Sequence, residues 1–358
     1  MKITDVKAYL MPSVQNPLRF RWRDGLPGSD EEQQGAVVRI VTDEGIDGYA
    51  SVGRGLIAMD IVQRRLKPLL IGEDPLLKER LWNKVWEVDR IEELPLYLLG
   101  TVDIALWDLT AKLAGLPLYQ LLGGYRDHLP AYASTVTFST IEEYLDVADQ
   151  CLGMGYSAIK LHAWGDARRD AQLVKKLRAH VGDGIDLMYD GSAGFDYHDA
   201  YFVGRALEDA GFRWYEEPMR EFSIASYQRL HERLKIPLLV AETSDGCHYN
   251  SADFIYFRAG DMVRTSTGLR GGITGALRIA HLADAFQLRA EVHGGGAPNL
   301  HVACAIPNTT YYESLVASNP VQKESVVDDH GMVYVPSQPG VGVEFDHEEL
   351  HRQAIAEL

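Results

Sequence analysis

From Gly123-Gly124 onward, short apolar runs alternate with amphipathic helical stretches, and this alternation constrains the fold more than any other feature of the chain. Successive strands separated by helices form a parallel sheet, because each strand must return through a crossover. Eight runs read as strands, at 131–135, 157–162, 186–190, 213–217, 237–242, 262–267, 289–293 and 310–314. Seven helices fit between them, at roughly 139–153, 167–180, 197–210, 223–234, 249–259, 274–287 and 299–306. The expected fold class is α/β, a closed barrel rather than an open sheet, with an eighth helix missing.

The segment before the barrel reads differently. Ile3, Val6 and Tyr9, then 36–42 and 46–53, alternate apolar with polar around the turn Asp43-Glu44-Gly45, which predicts a small antiparallel sheet. The loop at 13–34 is long for a hairpin, as binding loops and lids often are. Helical spacing follows at 58–70, 75–88 and 99–114, with Asp108 and Lys112 as an i,i+4 pair on the outer face of the last helix. The tail, 315–358, is expected to pack back on the N-terminal part. The expected division is a capping domain at 1–122 joined by 325–358, and a barrel at 123–324.

Composition narrows the function classes. With 35 Lys+Arg against 51 Asp+Glu the formal charge is −16, which argues against nucleic-acid binding and against an anionic membrane surface. A local cation can still attract a small anion. Three cysteines, odd in number and without metal-ligand spacing, read as small core residues. The start, MKITDVKAYL, has no basic segment followed by an apolar stretch, and no run approaches the ~18 apolar residues of a membrane span. The expectation is a soluble cytoplasmic protein.

In a parallel barrel, reacting groups sit at the C-terminal ends of the strands. The second predicted strand ends in Lys160-Leu161-His162, and alternation puts Lys160 and His162 on one face. The next three end in Asp190, Glu216 and Glu242, 26 residues apart each time. Three carboxylates converging at one mouth repel one another unless a cation neutralises them. An oxygen-only ligand set with open positions suits a hard divalent ion, with Mg²⁺ the usual one. His293 ends the seventh strand and Glu313 lies in the eighth. Basic groups on two sides of a cation-bound carboxylate suit removal of the proton α to that carboxylate, with the metal, Lys160 and a protonated Glu313 stabilising the enediolate.

These residues resemble the enolase superfamily, in its mandelate racemase/muconate-lactonizing branch. The stretch VDIALWDLTAKLAGLPLYQLLGG at 102–124 is similar to the branch signature before the barrel, and GYSAIKLH, YDGS, YEEP, VAET, GGITG and YYES follow in family order. The resemblance covers essentially the whole chain. It implies a (β/α)7β modified TIM barrel with an α+β cap built from both chain ends, Mg²⁺ as cofactor, and a homo-oligomer. It implies Asp190, Glu216 and Glu242 as metal ligands, Lys160, His162 and His293 as acid/base and charge-stabilising groups, and Glu313 as the acid on the enediolate.

Two departures stand out. The usual Lys-x-Lys is Lys160-x-His162, and the Asp that orients the strand-seven histidine is replaced by Ser266. Glu291, two residues before His293, is a candidate orienter alongside Ser266. No Lys lies in 264–270 and no Asp-x-Asp follows Glu313, which argues against the muconate-cycloisomerase, dipeptide-epimerase and succinylbenzoate-synthase reactions. What remains is a lyase dehydrating an aldonate or aldarate. The alternatives are a racemase or epimerase of a 2-hydroxy acid, a sugar-lactone cycloisomerase, or a non-catalytic metal-binding barrel. The partner expected is a small polyhydroxy carboxylate, met by Arg19, Arg21 and Arg23 in the N-terminal loop, by Arg54, and by Trp164.

Overall fold

The structure, a computed structural model, describes residues 1–13, 19–27 and 34–358. The first part is a four-stranded sheet in the order β13-β1-β2-β3, with β1 at Ile3–Leu10, β2 at Ala36–Thr42, β3 at Gly48–Val52 and β13 at Ala356–Glu357. The chain's last strand thus pairs antiparallel with its first. The helix Leu96–Ala114 packs on β3, and Gly48 allows the approach, since a Cβ there would lie 1.9 Å from the Ala105 carbonyl oxygen.

Asp108 is not on an outer face. It is fully buried, accepting from Tyr49 N at 3.0 Å and Val341 N at 3.0 Å while pairing with Lys112 at 2.6 Å. It joins helix, sheet and tail, a role invisible to helical periodicity because two of its partners lie 59 and 233 residues away.

The second sheet is the barrel. Its strands are β4 (His128–Thr135), β5 (Ala158–His162), β6 (Asp186–Asp190), β7 (Tyr215–Glu216), β8 (Leu238–Val240), β9 (Met262–Thr265), β10 (Arg289–Val292) and β11 (Tyr312–Val316). All are parallel, in the order β10-β9-β8-β7-β6-β5-β4-β11, with β12 (Met332–Tyr334) antiparallel on β4. No ladder joins β11 to β10 among the described residues. At that seam Ala290 N donates to Asn308 O at 2.9 Å, and Glu291 accepts from Thr310 N at 2.9 Å and from the Thr310 hydroxyl at 2.6 Å.

The period of two along the strands builds the interior in layers. Tyr132, Ala158, Met188, Trp214, Leu239, Met262 and Tyr311 form one apolar layer. Two residues further along, Ser134, Lys160, Asp190, Glu216, Arg264 and Glu313 are all buried, forming a polar layer above it. At β8 the rhythm breaks. Ala241 takes φ +66°, and the next carboxylate, Glu242, comes three residues after Leu239 instead of two.

Asp103, on the helix Leu96–Ala114, ties that helix to the barrel by accepting from Thr274 N at 2.8 Å and the Thr274 hydroxyl at 2.7 Å. Burial pushes its pKa up to about 7. An unfolded aspartate ionises near ~3.9, so the folded chain holds a proton that the unfolded chain releases, and stability falls as pH rises between those values. Asp103→Asn keeps an oxygen for Thr274 and removes the titration. Denaturant unfolding across that range should show a flatter pH profile for the variant than for the wild type.

Candidate active site and metal centre

Asp190 closes β6, Glu216 closes β7 and Glu242 follows the turn at Ala241. All three are buried, and each offers an oxygen within 4.8 Å of the others. Register brings the first two together, since His162, Asp190 and Glu216 are successive partners across β5, β6 and β7.

Lys160 reaches into the cluster from β5, with Nζ 3.2 Å from Asp190 Oδ2, 3.1 Å from Glu216 Oε2 and 2.8 Å from Glu313 Oε1. Burial opposes its charge, but Glu216 and Glu313 hold its pKa well above that of a free lysine. Glu313 is the reciprocal case. Burial would raise its pKa, yet Lys160, His293 and Arg264 hold it well below the usual carboxylate range. Ser134 Oγ and Gly294 N also donate to it, each at 2.8 Å. The expectation of a protonated Glu313 is therefore corrected, because its neighbours are cations and donors that favour the ionised form.

The two histidines lie against the outer members of the triad. His162 Nε2 is 3.0 Å from Asp190 Oδ2, and His293 Nε2 is 3.1 Å from Glu242 Oε1. His162 Nδ1 donates to the Thr135 carbonyl at 2.5 Å, which fixes the ring. Trp22 covers it, with ring centroids 4.5 Å apart. Among the described residues, neither proposed orienter has a hydrogen bond to the His293 ring. Ser266 Oγ accepts from Gly268 N and Leu269 N at 3.2 and 3.3 Å, capping its own loop. Glu291 is spent on Thr309 and Thr310 at the barrel seam.

The N-terminal segment crosses the mouth at 19–27, while 14–18 and 28–33, also part of the expected binding loop, lie outside the described residues. Main-chain bonds fasten it, Thr137 N to Arg21 O at 2.8 Å and Asp24 N to Trp164 O at 3.1 Å. Arg19, Arg21, Asp24, Thr137, Trp164 and Arg169 line a cleft of about 440 Å³ beside the strand ends. Arg23 does not line it, its Nε donating to the Ser192 carbonyl at 3.0 Å. Arg54 lies over the Tyr97 ring at 5.5 Å, with no contact to the carboxylate cluster among those described. Trp164 is nearly buried, its Nε1 donating to Phe138 O at 2.7 Å.

Arg169 of the cleft was not among the arginines the sequence pointed to, and two further residues escaped sequence reasoning. Trp22 sits in a loop, where no periodicity predicts its direction. Arg264 is fully buried on β9, a charged residue inside an apolar strand, and that anomaly was the available signal.

The donor set fits a divalent ion. Glu242 Oε2 is buried with no hydrogen-bond donor. Burial, with Glu217, Glu216 and Asp190 nearby, pushes the Glu242 pKa well above the usual range. A cation between Asp190, Glu216 and Glu242 answers that need, and three carboxylate oxygens are the ligands Mg²⁺ takes. Added Mg²⁺ should therefore raise the thermal midpoint of the chelator-treated protein. Glu242→Gln should lose that shift while being about as stable as the wild type without the ion, since glutamine is the neutral isostere of a carboxyl whose surroundings already favour protonation. Thermal unfolding with and without Mg²⁺ checks both parts.

Known proteins match over the same architecture. The model of the mandelate racemase/muconate lactonizing enzyme N-terminal domain matches residues 26–123, and the enolase C-terminal domain-like model matches 143–350. An arabinonate dehydratase from Saccharolobus solfataricus is 31% identical over 83% of this chain and 85% of its own length. The crystal structure of a D-glucarate dehydratase from Agrobacterium tumefaciens, complexed with magnesium, superposes with TM-score 0.91 at 34% identity, covering 99% of this chain and 100% of that one. An L-talarate dehydratase from Polaromonas, complexed with Mg and L-glucarate, gives TM-score 0.83 at 27% identity, covering 100% of this chain and 98% of that one.

Proposed function

The chain belongs to the mandelate racemase/muconate lactonizing family, with its enolase-like C-terminal domain, and on that premise we propose that it is a Mg²⁺-dependent dehydratase of a sugar acid. The observation that carries this reading is a pair of imidazoles at the two ends of one carboxylate triad, His162 on Asp190 and His293 on Glu242. Relatives named as arabinonate and glucarate dehydratases support it.

Bound by Asp190, Glu216 and Glu242, the ion supplies fixed positive charge that lowers the cost of a second negative charge on the substrate carboxylate. With Asp190 serving the ion instead of the ring, His162 takes the α-proton at Nε2, since Nδ1 is committed to the Thr135 carbonyl. Lys160 is not used as that base in this reading, because its carboxylate neighbours favour its charged form. It instead offers Nζ to the oxygen where charge accumulates. His293 gives a proton to the β-hydroxyl, which leaves as water. The α C–H and β C–O bonds break, a C=C bond forms, and the enol tautomerises to a 2-keto-3-deoxy acid. Trp22, over the His162 ring, keeps bulk water from the base.

Elimination fits better than racemisation. A racemase needs two bases of matched strength, and these histidines have unlike surroundings. His162 is held at Nδ1 by a carbonyl, whereas no carboxylate on β9 orients His293, because the hydroxyl of Ser266 caps its own loop. The far end of the substrate meets the cleft, where Arg19, Arg21 and Arg169 outnumber Asp24 and suit a polyhydroxylated anion. Arg23 and Arg54 have no part in this reading.

A library of aldonates and aldarates with Mg²⁺ in D₂O tests the proposal. The expected product is a 2-keto-3-deoxy acid. His162→Asn should lose both α-proton exchange and water loss by at least ~10²-fold, the low end of general acid–base contributions. His293→Asn should keep exchange while losing dehydration. Exchange without water loss in the wild type would favour epimerisation, and neither reaction with any acid would sink the enzyme reading.

A further inference from the structure

One buried side chain shapes the cluster and enters none of the steps above. Arg264 lies in the polar layer, two residues along β9 from Met262 of the apolar layer. Its guanidinium forks onto Glu216, with Nε donating to Oε1 and Nη2 donating to Oε2 at 2.7 Å. Nη2 also donates to the Tyr132 hydroxyl at 2.9 Å, and Nη1 to the Val292 carbonyl at 3.2 Å. Glu313 Oε2 lies 3.7 Å from Nη2, and Glu242 Oε2 lies 3.9 Å from Nε. One planar cation thus touches β4, β7 and β10 and approaches two further carboxylates.

This geometry has two physical consequences. A carboxylate gripped by both arms of one fork cannot rotate without breaking two charge-assisted bonds, so the plane of Glu216 is set from β9. Lys160 at 3.1 Å and Trp214 Nε1 at 3.3 Å reinforce the same oxygen. The second consequence is electrostatic. Arg264 is a buried cation with Glu216 in its fork and oxygens of Glu313 and Glu242 at 3.7 and 3.9 Å, so it offsets part of the repulsion among carboxylates in a site where unpaired charge is costly. Ser266, two residues on, turns to cap Gly268 and Leu269, so β9 contributes a fixed cation to the site and no proton-transfer group.

We infer that Arg264 is a positioning residue of the metal centre, holding the Glu216 carboxylate in one orientation and offsetting part of the repulsion among the carboxylates that would hold the ion. The inference concerns the metal centre alone and stands whichever acid the enzyme uses.

Titration calorimetry of chelator-treated protein with Mg²⁺ tests it, together with the electron paramagnetic resonance spectrum of bound Mn²⁺. Arg264→Lys keeps the charge and loses the fork. It should weaken Mg²⁺ binding by about 10–100-fold, the range for residues that orient metal ligands, and should change the Mn²⁺ line shape. Tyr132→Phe keeps the fork and removes one anchor of it, and should weaken binding in the same direction by a smaller factor. A role in folding alone would lower the thermal midpoint and leave affinity and line shape unmoved. If Arg264→Lys does not fold, Tyr132→Phe carries the test. Unchanged affinity in the folded variants overturns the inference. So does tighter binding in Arg264→Lys, which would make the arginine a competitor of the ion for Glu216. A wild type that binds no ion would remove the metal centre, and the inference with it.

Discussion

Like charges confined in a buried barrel mouth are the constraint on which the rest of this structure depends. Asp190, Glu216 and Glu242 bring oxygens within 4.8 Å of one another, and Glu313 joins them through Lys160. In such a place each uncompensated charge costs several kcal/mol, on the order of the whole stability of a domain. The chain answers with two internal cations, Lys160 and Arg264, and with a set of carboxylate oxygens suited to one divalent ion. The apolar layer beneath, from Tyr132 round to Tyr311, closes the barrel below the cluster and keeps its electrostatics strong.

The same constraint explains how the reacting groups are distributed. Lys160 sits in the middle of the carboxylates, which favour its charged form. The histidines sit at the edges of the triad, each with one ring nitrogen on a carboxylate. The N-terminal segment supplies Trp22 over one of them and arginines at the rim, and it is fastened to the barrel by the main chain. The acid-rich chain thus presents a locally cationic rim, which reconciles a net charge of −16 with an anionic substrate.

Much of this was legible in the sequence, and the reason is local. Strand periodicity puts alternate residues on one face, and the strand–helix rhythm marks where each strand ends. Those two rules suffice to find Lys160, His162, Asp190, Glu216, Glu242, His293 and Glu313. What they miss depends on contacts across long sequence separations. Glu291 shares its strand face with His293, yet its partners are Thr309 and Thr310 at a seam whose register no local pattern reveals. Asp108 looks like half of a surface ion pair until the tail, more than two hundred residues later, covers it. Arg264 lies in 264–270, where the sequence offers no proton-transfer group, and what it supplies there is a counter-charge to Glu216. The ionised form that the surroundings favour at Glu313 is not visible from its own strand, because its partner, Lys160, lies on a strand two places away around the barrel.

The central claim is that one divalent ion and two flanking histidines act on the α-carbon of a bound acid. A crystal structure of the protein with Mg²⁺ and an unreactive sugar-acid analogue tests it most directly. The account predicts a single ion ligated by Asp190, Glu216 and Glu242, with the α-carbon facing His162 Nε2 and the β-hydroxyl on the side of His293. An ion bound elsewhere, or an α-carbon turned away from both imidazoles, would contradict it.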